Sequence, residues 1–273
     1  DHYALNGYSR DTNPLLAKQP VLSWSNAHSC ATSTRESLPC MFSHLGKSDF
    51  EKSSVNNDNL LDVLQAAGLG VLWVDNQAGC KGVCDRVRTV STADAQQTEM
   101  GQKLCGNGEC LDEMLLQGLD EKISHIPQAQ RDKGLVVVLH QMGSHGPAYY
   151  RRSSTQAKAF APECETNALS SCSHQQLINT YDNSIRYNDL FLTKTIAWLE
   201  QHEAQYQTAM LYLSDHGESL GESGVYLHGL PYRLAPEEQK HIAEIVWLGT
   251  LAARTGIDQT CLAAKLQEPI THD

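Results

Sequence analysis

Four short strings hold the residues most capable of chemistry. Asp215-His216 is an adjacent carboxylate–imidazole pair, and His228 follows in Tyr226-Leu227-His228-Gly229. His145 closes the string His140-Gln141-Met142-Gly143-Ser144-His145. Oxygen and imidazole ligands suit zinc, and an adjacent Asp and His leaving a strand can both reach one ion. An isolated Asp-His pair is more often a hydrogen-bonded loop feature. The two further histidines turn the reading toward a metal site. His140 is set aside, because a satisfied core histidine would look the same. The remaining string, Ser29 to Ser37, offers hydroxyls at Thr32, Ser33 and Thr34 between Cys30 and Cys40. A bridge between those cysteines would pin a hydroxyl-rich turn at a helix start. Such hydroxyls are usually caps, yet the N–H groups of a helix start also aim at an anion, which suits phosphoryl chemistry. A hydroxyl on zinc is far more acidic than a free one and becomes a nucleophile at neutral pH.

Gly217-Glu218-Ser219-Leu220-Gly221 competes with this reading. It fits the G-x-S-x-G elbow of a serine esterase, with Asp258 and His272 following in the hydrolase order. An elbow needs a strand directly before it and a helix directly after. Here the strand ends early, Gly221 and Gly224 disfavour a helix, and Asp215-His216 is left without a role. Ser219 is therefore the lesser alternative.

Such residues must be positioned by a scaffold. Four apolar runs, Gly70–Val74, Leu135–Leu139, Met210–Leu213 and Ile242–Leu248, read as buried strands of a parallel sheet. The first three run into Asp75-Asn76 and Lys81, into the His140–Gly146 string, and into Ser214–Glu218. In open α/β sheets, ligands sit beyond such strand ends. Apolar residues from Leu60 to Ala67 predict a helix stopped at Gly68. Ile178, Tyr181, Ile185, Leu192, Ile196 and Leu199 predict a long amphipathic helix from about His174 to Gln201. Alternating helices and strands point to an α/β fold, a three-layer α/β/α sandwich with a largely parallel central sheet. Thr89–Gln130 reads as loops and short helices, and Pro231–Gln239 as a surface excursion. Residues 1–273 are expected to form a single catalytic domain.

A formal net charge of -11 disfavours nucleic-acid binding. An anionic substrate would need local positive charge, such as a metal. Eight of the nine cysteines fall in close pairs, Cys30/Cys40, Cys80/Cys84, Cys105/Cys110 and Cys164/Cys172. They read as disulfides of an oxidising compartment. A zinc site built from Cys80, Cys84, Cys105 and Cys110 is the rival, but their spacing lacks zinc-ribbon regularity. Cys261 is left over. With no signal peptide and no apolar run of roughly 20 residues, the chain reads as a piece of a longer exported protein.

At these residues the sequence resembles the lipid A phosphoethanolamine transferases, including the mobile colistin-resistance enzymes, within the alkaline phosphatase superfamily. The resemblance covers Asp1-His2, Asn6-Gly7-Tyr8, Arg10-Asp11-Thr12, the Cys30–Cys40 segment, His140–Tyr149 and Ser214–His228. It implies an alkaline-phosphatase/sulfatase-like fold and a zinc enzyme. Thr34 would be the nucleophile and, with Asp215, His216 and a glutamate upstream of Asp1, a ligand of one essential zinc. His145 and His228 would lie near the substrate phosphate or hold a second zinc, beside Lys81 and Glu218. Phosphatidylethanolamine would be the donor and a lipid A phosphate the acceptor, through a covalent adduct on Thr34, with polymyxin resistance as the outcome. The resemblance places the enzyme at the periplasmic face of the bacterial inner membrane, anchored by an N-terminal domain and monomeric. It pairs Cys261 with a cysteine beyond Asp273. Two other readings remain: a phosphodiesterase or sulfatase of the same superfamily, although the Cys/Ser-x-Pro-x-Arg segment of sulfatases is absent, and a non-catalytic lipid-binding domain.

Overall fold

The structure is a computed structural model that describes residues 2–53 and 58–272, so Asp1 of the Asp1-His2 string lies outside it. In chain order, the elements that matter for function begin with strand β1 (Val21–His28), helix α1 (Thr34–Met41), helix α2 (Leu60–Ala66) and strand β2 (Gly70–Asp75). Strands β3 (Arg88–Ser91) and β4 (Leu135–His140), helix α3 (His174–Gln201) and strand β5 (Met210–Leu213) follow. The short strands β6 (Ser219–Leu220) and β7 (Tyr226–Leu227) then precede β8 (His241–Trp247) and β9 (Ile270–Thr271). Two compact units result, one built from the residues up to Ser33 with Gly143–His272, the other from Thr34–Met142.

In the second unit, β3, β2 and β4 form a parallel sheet in that order. Every residue of β2 is buried, which explains its unbroken apolar run, since a strand covered on both faces has no reason to alternate. Leu38, Leu61, Val71, Trp73 and Val83 form its core with the Cys80–Cys84 bridge. The Cys105–Cys110 bridge closes a two-stranded hairpin inside the stretch expected to be loops and short helices. These two bridges remove the four-cysteine zinc alternative.

In the first unit the sheet order is β9, β1, β8, β5, and here the parallel expectation fails. β8 runs antiparallel to both β1 and β5. The chain returns from β5 to β8 by way of a hairpin and a loop, with no crossover helix to bring it back parallel. Helix α3 has the expected bounds and opens with a capping box, Ser173 with Gln176. Its polar side is not solvated. Asn183 accepts from the Ala159 and Phe160 amides, Thr180 from Cys164 N, and Asp189 from Leu15 and Leu16 N. Buried Asp182 holds His2, Tyr8 and Arg10. The polar side of α3 thus satisfies loop backbone that would otherwise be buried unpaired. The Cys164–Cys172 bridge lies just before it. Cys30 and Cys40 are likewise in the disulfide-bonded state, and Cys261 is free and exposed. Among the described residues, no helix is long and apolar enough to cross a membrane.

Candidate functional site

The first unit brings five of the expected residues together. β5 ends at Leu213, and the next residues turn sharply under backbone control. Ser214 N donates to Ala243 O, Gly217 N donates to Gln239 O, and Ser214 Oγ donates to His216 O. A Cβ at Gly217 would collide with the Glu238 carbonyl, so only glycine lets the turn pass. The hairpin of β6 and β7 pairs Ser219 with Leu227 and thereby returns His228 to the side of Glu218. This pairing is the physical meaning of the spacing between His216 and His228. Leu227 sits at a φ of 66°, a conformation uncommon for a branched side chain, directly before His228.

Each of the three imidazoles is held by the same atom. His216 Nδ1 donates to Gly217 O at 2.9 Å, His145 Nδ1 to Gly146 O at 2.6 Å, and His228 Nδ1 to Glu218 Oε1 at 2.8 Å. Anchoring Nδ1–H sets the tautomer and leaves Nε2 as the lone-pair atom, which is how protein-bound metals are usually served. The His228 ring lies 4.2 Å from His216 and 4.9 Å from His145, centroid to centroid. Asp215 Oδ2 lies 3.7 Å from His216 Nε2, and Asp215 Oδ1 accepts the His216 amide. Ligand atoms of His216, Glu218 and His228 fall within 4.8 Å of one another. Imidazole and carboxylate donors at this spacing fit a zinc-sized cation. Burial lowers the pKa of His145, and the neighbouring imidazoles push the same way against the charge of Glu218. Burial also acts to lower His228, but its bond to Glu218 outweighs that and raises it.

The other two expected residues belong to the second unit. Thr34 opens α1 and is buried. Its neighbour Thr32, in the first unit, donates its hydroxyl to Leu230 O instead of capping a helix. Lys81 lies in the loop after β2 with a φ of 53°, exposed, its Nζ donating to Ala78 O at 2.8 Å. The esterase alternative finds no support in the geometry. Ser219 is fully buried in β6 and accepts from Gln239 Nε2, Asp258 caps a short helix, and His272 Nδ1 accepts from Cys30 N. Sequence reasoning missed Tyr149, whose phenol reaches Glu218, and Arg152, whose Nε donates to His145 O. Their closeness to His145 in sequence, Tyr149 ending the His140–Tyr149 string and Arg152 lying just past it, was the only signal available.

The sulfatase family model matches residues 1–273. The chain is 47% identical to "Phosphoethanolamine transferase EptA" of Salmonella typhimurium over 264 residues, 96% of this chain and 47% of the relative. Among solved structures, it superposes with a TM-score of 0.91 and 41% identity on the soluble domain of lipooligosaccharide phosphoethanolamine transferase A from Neisseria meningitidis, covering 99% of this chain and 80% of that one. The integral membrane form of the same Neisseria protein gives the same TM-score and identity, with 99% of this chain and 50% of that one covered. The chain spans about half the length of the curated relatives it matches. The α/β architecture is thus that of the alkaline-phosphatase/sulfatase type.

Proposed function

The chain belongs to the sulfatase family, and from that premise we propose that it is the catalytic part of a zinc-dependent phosphoethanolamine transferase. Phosphatidylethanolamine is the donor and a lipid A phosphate the acceptor, at the periplasmic face of a bacterial inner membrane. The observation that carries this reading is the set of three imidazoles with anchored Nδ1 atoms beside Asp215 and Glu218. It occurs in a chain 41–47% identical to proteins named as phosphoethanolamine transferases. Zinc bound by Asp215 and His216 would supply Lewis acidity to phosphoryl oxygens and lower the pKa of a hydroxyl.

The chain's own side chains do the rest. Thr34 Oγ forms a bond to the donor phosphorus, the bond from phosphorus to the diacylglycerol oxygen breaks, and the Thr34 proton ends on diacylglycerol. A lipid A phosphate oxygen then takes the phosphorus, and Thr34 Oγ leaves with a proton. Lys81 offsets phosphate charge, His145 and His228 carry the proton, and Glu218 is their acidic neighbour. Each ethanolamine cation added to lipid A offsets anionic charge and weakens attraction to cationic polymyxins such as colistin.

The test is intact mass and peptide mapping of the full-length protein after incubation with phosphatidylethanolamine and no acceptor. The phosphoethanolamine adduct should appear on Thr34 alone, and EDTA should prevent it. Thr34→Ala should abolish transfer while costing the fold only about 0.5–2 kcal/mol, and Thr34→Ser should retain some activity. An adduct on Ser219, or full activity in Thr34→Ala, would overturn the proposal.

A further inference from the structure

Tyr149 has no part in the reading above, yet its phenol is enclosed beside the imidazole cluster. It is 1% exposed and packs among Cys164, Leu169, Leu177 and Leu220, with Tyr181 edge-on at 5.5 Å between centroids. Its phenol donates to Glu218 Oε2 at 2.8 Å. The other carboxylate oxygen, Oε1, accepts from His228 Nδ1 at 2.8 Å and from Gly146 N at 3.3 Å. A carboxylate is an acceptor only, so three donors converge on it from three directions. Burial, reinforced by the charge of Glu218, holds the phenol proton in place far above ordinary pH. A Cβ at Gly146 would lie 2.6 Å from Tyr149 Oη and from Leu227 Cδ2, so the approach of this loop to the phenol requires glycine.

Consider the same site without the phenol. Oε2 would lose the phenol that donates to it, and a buried carboxylate oxygen stripped of its donor is costly. The carboxylate would rotate or withdraw to find a partner, and His228 would lose the fixed acceptor that sets its tautomer. Outer partners of this kind orient a ring that never touches them.

We propose that Tyr149 is a positioning residue for the transfer reaction. Through Glu218 it holds His228 in the Nδ1–H tautomer, so that Nε2 is the atom presented for metal or proton. Glu218 on this account acts through His228 and not on the substrate. The inference rests on the transferase reading only for its kinetic consequence.

The direct readout is the imidazole nitrogen spectrum of the histidine-labelled, zinc-free chain, recorded at about pH 9, where the rings are neutral. In the wild type, His228 should be the Nδ1–H tautomer. In Tyr149→Phe it should become a mixture with Nε2–H. Transfer by the full-length protein should fall roughly 10- to 100-fold in kcat, with KM within about twofold. In a Glu218→Gln background the same substitution should change kcat by less than about twofold, because the path through Glu218 is already altered. A wild-type His228 in the Nε2–H form would overturn the proposal without any variant. So would an unchanged tautomer in Tyr149→Phe, or a fully additive loss in the double variant. Because the spectrum needs no substrate, a tautomer shift in a protein that transfers nothing would sink the transferase reading and leave the positioning role standing.

Discussion

Two regions of this molecule set an aspartate beside a histidine at a strand end, and they hold the imidazole by different partners. At the end of β2, in the second unit, Asp75 Oδ1 accepts from His140 Nδ1 at 2.6 Å and from Trp73 Nε1 at 3.2 Å. Asp75 Oδ2 accepts from Gly79 N, and the His140 ring lies 5.0 Å from that of Trp73. Next to it, Asn76 is held by Thr92, Asp112 and Cys110 O. At the end of β5, in the first unit, His216 bonds its Nδ1 to a backbone carbonyl and keeps Nε2 toward Asp215. The residue types are the same in both places. What differs is who takes Nδ1: the paired carboxylate at His140, a backbone carbonyl at His216. At His140 the paired carboxylate fixes the ring, whereas at His216 a third group, the Gly217 carbonyl, fixes it and turns Nε2 toward the paired carboxylate.

The sharpest way to break this comparison is to remove each histidine and measure metal and stability together. His216→Ala in the full-length protein should lose bound zinc and transfer activity, with little change in denaturant midpoint. His140→Ala should keep its zinc and destabilise the fold by about 1–3 kcal/mol, the cost of stripping a buried carboxylate of one donor. Equal zinc loss in both variants, read by elemental analysis, would mean that the two pairs are not different in kind.

This contrast also shows where the sequence was legible. The bounds of β5 and α3, the unbroken apolar run of β2 and the disulfides Cys80–Cys84, Cys105–Cys110 and Cys164–Cys172 could all be read from local pattern. Each of these depends on residues near one another in the chain. The strand β1 was not read, because Val21–His28 mixes Ser, Asn and His with its apolar residues and is only partly buried. The direction of β8 was not read either, since apolar content does not encode orientation. Asp215, His216, Glu218, His145 and His228 were legible as types and as resemblance. The common Nδ1 anchoring of the three histidines was not, because it uses backbone carbonyls and a hairpin register that no side-chain string records. Tyr149 escaped because a buried tyrosine reads as core until its phenol is seen to have a partner.

A second prediction sharpens the claim that Asp75 is spent on structure. Burial alone would raise its pKa, but the hydrogen bonds from His140, Trp73 and Gly79 outweigh that and lower it. A carboxyl lowered in the folded state contributes stability that is present above its unfolded value and lost as pH falls through the folded one. Wild type should therefore exceed Asp75→Asn by about 1–3 kcal/mol at neutral pH. The gap should narrow as pH falls below about 4, the usual aspartate range. Urea midpoints of the two proteins from acid to neutral pH measure this. A gap independent of pH would mean the carboxylate charge is not what the site uses.

Asp189 supplies the opposite sign. It is buried on α3 like Asp75 on β2, but its partners are the Leu15 and Leu16 amides. Burial dominates, the two amides and the nearby charge of Arg186 recover only part of it, and the pKa is raised to about 6. Between about pH 4, where an unfolded aspartate titrates, and pH 6, the folded protein holds a proton that the unfolded chain has released. Stability must then fall as pH rises through that window, by about 3 kcal/mol if the unfolded value is ordinary. Asp189→Asn keeps an acceptor for the amides and has no charge to desolvate. The difference in urea midpoint between wild type and Asp189→Asn should thus favour wild type near pH 4 and shift toward the variant by pH 7. The Asp75 pair should show its change at lower pH and with the reverse slope. Should Asp189 instead follow the same slope as Asp75, the neighbour that takes the carboxylate would not be what decides its role.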